Sequence, residues 1–315
     1  MSFEKYLDQI LDQNIISKLV SPKKESFPLG DFSNYQEIPL GWTKDLNYKE
    51  TQEYKSLKKF KRYIFIGMGG AISMARIASY INPKQISYID SFDISKIKKL
   101  REDAKNSSTV VFVCSKSNET IETKLLENLI AENKKDKFYI TDEIKEIEYS
   151  RHLKTPRNIG GRYSISTHLG VLPFYLAGFS LEAIANEINK ANKECRINDK
   201  NNPAIRIAAM LYTNYINNKE IVSITPKNQK DFVYDWLEQL ISESAGKEEK
   251  GLLPIKSSNI SSMIKFTNKN KISENSVEIS IEYNEKIFFT FQKLMYSISI
   301  FCSMINVQPF DQPNV

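Results

Sequence analysis

The run SKSNETIET, residues 115–123, gathers Ser115, Ser117, Thr120 and Thr123 around one lysine, Lys116. Free backbone N–H groups at a helix start, hydroxyl donors and an ammonium together make a site for an anion. The same residues also suit an ordinary helix cap with surface hydroxyls. In WLEQLISESAGK, residues 236–247, Glu243 follows Gln239 by four positions and shares its helix face. A carboxylate so placed can act as a general base, taking a proton from carbon next to a carbonyl; its bland alternative is a solvated charge. Arg162 follows two glycines in GGRYS, residues 160–164, where a guanidinium can approach a ligand closely and hold negative charge developing on oxygen. A surface ion pair is the competing reading. The turn GMGGAIS, residues 67–73, has Gly67 and Gly69 in the spacing of a dinucleotide fingerprint, with Asp90 where a ribose-binding acid would stand. Its third glycine position is Ile72, so a nicotinamide-dependent oxidoreductase rests on an incomplete motif.

These residues need elements that hold them. From residue 62 short apolar runs ending in turn residues alternate with helical periodicity: YIFIGMGG, then AISMARIASYI; QISYID, then DISKIKKLRED; STVVFVCS, then ETIETKLLENLIAE; and KFYIT. Strands separated by helices of this length predict parallel βαβ units in a doubly wound sheet, with ligands at the carboxyl ends of the strands. Helices are predicted over SLEAIANEINKAN and PAIRIAAMLYTNYI. A second alternation starts at EIVSITP, with helix DFVYDWLEQLISESAG, strand GLLPIK, helix ISSMIKFT, strand SVEISIEY and a long apolar helix. That last helix contains Gln292 and Lys293, which leave too short an uncharged run to cross a bilayer, and a buried helix is expected.

The 315 residues suffice for two domains or one large α/β unit. Lys+Arg 44 against Asp+Glu 38 gives a formal +6, but the two signs are interspersed, which argues against a nucleic-acid stripe. Cys114, Cys195 and Cys302 are far apart, and with only His152 and His168 besides, neither a zinc site nor a disulfide framework is expected. The amphipathic start MSFEKYLDQILDQNIISKLV carries acids at positions 4, 8 and 12, unlike a signal peptide, so a cytoplasmic location is the expectation.

Taken in order, GMGG, SKSNETIET, GGRYS, WLEQLISESAGK and PFDQP resemble the glucose-6-phosphate isomerase family, built from sugar-isomerase (SIS) subdomains; the likeness runs from about Tyr63 to the end. The resemblance implies an α/β fold of two SIS-type doubly wound subdomains with mainly parallel sheets flanked by helices. It divides the chain into an N-terminal helical extension (1–45), a first SIS subdomain with the phosphate loop (46–155), a connecting segment and helical layer (156–218) and a second SIS subdomain (219–315). Glu243 falls on the base that moves a proton between C1 and C2 through a cis-enediol, interconverting glucose 6-phosphate and fructose 6-phosphate. Arg162 falls on the group that stabilises the enediolate. Ser115, Lys116, Ser117, Thr120 and Thr123 fall on the phosphate loop, Gly70 on the glycine turn that approaches the sugar, and Gln239 and Gln312 beside the substrate. No metal or organic cofactor, nucleic acid or membrane is implied, and a homodimer is.

Three positions depart from the family pattern. The small serine that usually follows the first glycines is Ala71, with Ser73 nearby. The family's ring-opening histidine aligns with Ser261, which cannot hold a proton near neutral pH. A family lysine lies a few residues beyond PFDQP, so the native protein is expected to extend past Val315 and its second subdomain to be truncated here. The missing histidine supports an alternative, a catalytically weakened or inactive SIS-type protein that binds a sugar phosphate.

Overall fold

The computed structural model describes residues 3–20, 37–142, 151–224, 232–256, 265–266, 272–273, 276–277 and 283–310. They fall into two units, one of residues 47–184 and one that joins residues 1–46 to residues 185–315. The segment 156–218, expected as a connector, is divided between them, with the boundary inside a helix, Leu181–Cys195.

In the unit 47–184, helix α3 (Gln52–Leu57) precedes five strands: β1 (Arg62–Gly67), β2 (Ile86–Ile89), β3 (Thr109–Cys114), β4 (Lys137–Thr141) and β5 (His152–Lys154). They form one sheet in the order β2-β1-β3-β4-β5, every pairing parallel. Between them run α4 (Ser73–Ile81), α5 (Ile94–Lys105) and α6 (Ile121–Ala131), as the alternating pattern predicts. β1 and β3 are the middle of the sheet and read as near-continuous apolar runs because helices cover both faces. Phe65 and Phe112 stack at 4.8 Å on neighbouring strands. Asp93 starts α5 by accepting from Ser95 N at 2.8 Å and Lys96 N at 3.0 Å, an N-cap fixed by local sequence. The order of connection reverses between β1 and β3, so a crevice is expected beyond their carboxyl ends.

After a 3₁₀ turn (Gly161–Ser166), α7 (His168–Leu176) begins at its cap Thr167, whose hydroxyl accepts from Leu169 N at 3.2 Å. His168 shares a 2.7 Å hydrogen bond through Nδ1 with the Tyr54 hydroxyl and lies against the Tyr48 ring. Burial, with His152 nearby, depresses its pKa from 6.5 to about 4. Between those values the unfolded chain holds more protons on this group than the folded one, so stability is complete above the ordinary histidine range and lost as pH falls toward 4. Urea unfolding should register a loss of about 2–3 kcal/mol over that window. His168→Asn is expected to flatten it.

The other unit opens with two amphipathic helices, α1 (Phe3–Asp12) and α2 (Ile15–Val20). α8 (Leu181–Cys195), α9 (Pro203–Ile216), α10 (Val233–Ala245) and α11 (Ile287–Met304) supply its helical body, and β6 (Ile221–Ile224), β7 (Leu253–Lys256) and β8 (Lys265–Phe266) a parallel sheet in the order β7-β6-β8. Ile272–Ser273 and Ser276–Val277 make a short antiparallel pair. Lys265–Phe266 was expected within a helix; main-chain pairing with the open edge of β6 overrides local propensity there. α11 is long and apolar enough to span a membrane, but 78% of it is buried against α9, α10 and α2, as expected of a core helix.

N-terminal residues are integral to this unit. Tyr6 meets Tyr212 of α9 edge-on at 4.9 Å, and Lys200 pairs with Asp8 at 2.6 Å. Gln292, fully buried in α11, donates to Trp42 O at 2.9 Å and to Asn192 Oδ1 at 2.7 Å. Asn192 in turn donates to Lys44 O at 3.1 Å, and Arg196 binds the Thr43 carbonyl. All three cysteines are buried thiols outside any disulfide.

Candidate active site

In the unit 47–184 the glycine turn and the hydroxyl run lie side by side, following β1 and β3. A Cβ on Gly67 would stand 2.6 Å from Cys114 O, so only glycine lets the ends of the two central strands approach this closely. At Gly70 a Cβ would stand 2.6 Å from both Arg162 N and Gly161 C. The missing side chain thus allows the backbone that carries Arg162 to rest on the glycine turn. Arg162 itself is buried, 3% exposed, with its guanidinium 5.6 Å from the Tyr163 ring centre. Ala71 closes the 3₁₀ turn Gly69–Ala71, and the Ser73 hydroxyl donates to Gly69 O at 3.1 Å.

The loop after β3 is fixed from two sides. Ser115 N donates to Ile140 O at 3.2 Å, while Asp142 N and the Thr141 hydroxyl both donate to Lys116 O at 2.8 Å. Asn118 takes a left-handed conformation, φ 54°, which asparagine tolerates, and its N–H closes a turn on Ser115 O at 3.3 Å. Thr120 stands at the N-cap of α6, yet its side chain makes no cap hydrogen bond; its hydroxyl instead accepts from the Ser115 hydroxyl at 3.2 Å. Thr123 is 1% exposed and its Oγ1 has no hydrogen-bond partner among the described residues. A plain cap accounts for neither hydroxyl. Burial lowers the pKa of Lys116, and the nearby Asp142 opposes that shift. The loop therefore presents hydroxyls, a partly desolvated ammonium and the amide end of α6 to one region.

Asp90 does not stand open for a ribose: Arg76 pairs with it at 3.4 Å. With Ile72 buried in place of the fingerprint's third glycine, the nicotinamide reading loses its remaining support.

In the unit 1–46 with 185–315, α10 brings Gln239 and Glu243 together, Gln239 Nε2 donating to Glu243 Oε2 at 2.9 Å. Trp236, Leu237, Leu240 and Ile241 of the same helix are buried, and Trp236, seven residues before Glu243, lies on the Glu243 side. Gln239 and Glu243 are both half-buried. Beyond the helix, Lys247 Nζ donates to the Gln308 carbonyl, a tie between residues 61 apart that periodicity does not signal. Gln312 and Ser261 lie outside the described residues.

No protein-family model matches the chain. It is 30% identical to a glucose-6-phosphate isomerase of Methanocaldococcus jannaschii over an alignment of 231 residues that covers 67% of this chain and 57% of that protein. It is 31% identical to one of Mycoplasma mycoides over an alignment of 248 residues that covers 68% of this chain and 58% of that protein. Thus the matched span is less than two thirds of each relative's length. Among solved structures, a hypothetical protein of Thermus thermophilus superposes with a TM-score of 0.74 at 17% identity, covering 99% of this chain and 94% of that one. A glucose-6-phosphate isomerase of Chlamydia trachomatis gives 0.72 at 14% identity, covering 98% and 83%. At such identities the superpositions establish the fold alone. Sequence kinship and fold agree: the chain is a relative of glucose-6-phosphate isomerases and has the sugar-isomerase fold.

Proposed function

We propose that the protein interconverts glucose 6-phosphate and fructose 6-phosphate. Glu243 takes the proton from C2 of the open-chain aldose and returns it to C1, through a cis-enediol whose developing oxygen charge Arg162 stabilises. Ser115, Lys116, Ser117, Thr120 and Thr123 hold the phosphate, Gly70 leaves room for the sugar, and Gln239 and Gln312 orient it. The chemistry needs a base, an electrostatic partner and a site shielded from water. The family's pattern supports a homodimer.

The observation that carries the reading is the loop after β3, where Lys116 and the hydroxyls of Ser115, Ser117 and Thr120 stand at the amide end of α6, with the Thr123 hydroxyl buried behind them. A buried polar group left unsatisfied is costly unless something else binds it. Thr123→Val keeps the shape and removes the hydroxyl. It is expected to leave the unliganded protein as stable or up to about 1 kcal/mol more stable, while weakening fructose 6-phosphate binding about ten- to a hundredfold. Thermal melts and calorimetric titration read the two effects separately. Unchanged affinity would remove Thr123 from the phosphate site.

A binding protein without turnover is the second reading, favoured by Ser261 at the histidine position. Both histidines of the chain have other surroundings, His152 Nε2 meeting Thr141 O at 3.0 Å and His168 meeting Tyr54. Calorimetric binding of fructose 6-phosphate with no product in a coupled assay would decide for it.

A further inference from the structure

The chain beyond Glu243 folds in an unexpectedly tight way. Gly246 N closes α10 on Ser242 O at 2.8 Å, and Lys250 N then returns to Lys247 O at 3.0 Å. At the tip, Glu248 and Glu249 both lie in the left-handed region, φ 55° and 58°, in the two-residue turn where Asn-Gly is usually found. Two adjacent non-glycine residues persist there only when their surroundings determine them. Gly251 shows how close those surroundings are: a Cβ on it would stand 2.4 Å from Ala245 O.

The turn points Lys247 at the end of the core helix α11, where its ammonium binds the Gln308 carbonyl. That receiving segment is itself well fixed. Val307 N donates to Cys302 O at 2.9 Å, Phe310 N to Gln308 Oε1 at 2.5 Å, and Phe310 is buried near Trp42. Lys247 thus joins the end of the Glu243 helix to a buried, hydrogen-bonded segment of its unit. The structure assigns Lys247 as a positioning residue: by binding the Gln308 carbonyl it holds the carboxyl end of α10, and with it the Glu243 carboxylate, in place. The consequence for turnover rests on Glu243 being the base proposed above.

The test separates the two claims. In Lys247→Met, and in Lys247→Gln as a second variant, the amides of Val307 and Phe310 should exchange with deuterium about tenfold faster. Isomerase kcat should fall about tenfold with KM within about twofold of the parent, because a misplaced base loses reactive geometry rather than substrate affinity. Lys247→Arg, which retains a donor of similar reach, should restore kcat. Unaltered exchange overturns the fastening. Faster exchange with unchanged kcat, or with a change in KM alone, overturns the positioning role. A parent protein without turnover overturns the isomerase reading and the catalytic consequence with it, while exchange alone still decides whether Lys247 fastens the helix.

Discussion

Exchanging Glu243 for glutamine is expected to lower isomerase kcat about 10²- to 10⁴-fold, or about 3–5 kcal/mol of barrier, the range for losing a general base. Glutamine preserves the length of the side chain and can still accept from Gln239 Nε2, which donates to Glu243 at 2.9 Å, so the packing of α10 should survive. What disappears is the ability to take a proton from carbon. Two readouts follow: turnover at saturating fructose 6-phosphate, and incorporation of deuterium from heavy water at the exchanging carbon. Both should fall together, with the thermal melt within a few degrees of the parent. Turnover within tenfold of the parent would exclude this carboxylate as the base.

Arg162→Met should be the second most damaging change, lowering kcat about 10²- to 10³-fold, as for removal of one donor to a developing oxyanion. The residue is almost fully buried, and its backbone rests on Gly70, so in the proposed mechanism the group would work from a fixed position with little reorganisation. Arg162→Lys keeps a charge but loses the planar fork, and is expected to recover only part of the rate. A methionine variant that folds, binds fructose 6-phosphate normally and turns over at the parental rate would remove Arg162 from the mechanism.

Much of the scaffold was legible in the sequence because its signals are local. The β1 to β4 alternation is announced by apolar runs of strand length, turn residues and helical periodicity within a few residues of each other. The glycines at 67 and 70 mark close backbone approaches, and the reason for each appears only when Cys114 O and Arg162 N are located. The hydroxyl loop was readable as a composition, whereas the contrast between Thr120, bonded to Ser115, and Thr123, buried without a partner, depends on packing. Lys265–Phe266 illustrates the opposite case: a short apolar stretch suits helix or strand, and the available edge of β6 decides. The Lys247 tie to Gln308 could not be read at all, since it joins residues 61 apart in sequence.

The division of the chain also sets an order of events during synthesis. Residues 47–184 form a contiguous unit, whose last residue leaves the ribosome while much of the other unit is still untranslated. The first helices have no such luck: α1 packs on α9, and Trp42 awaits Gln292. At about 5–20 residues per second, translation of the roughly 250 residues between Trp42 and Gln292 keeps Trp42 waiting for about 12–50 s. Residues 3–46 are thus made long before the partners they pack on, whereas the unit 47–184 closes on residues made next to one another.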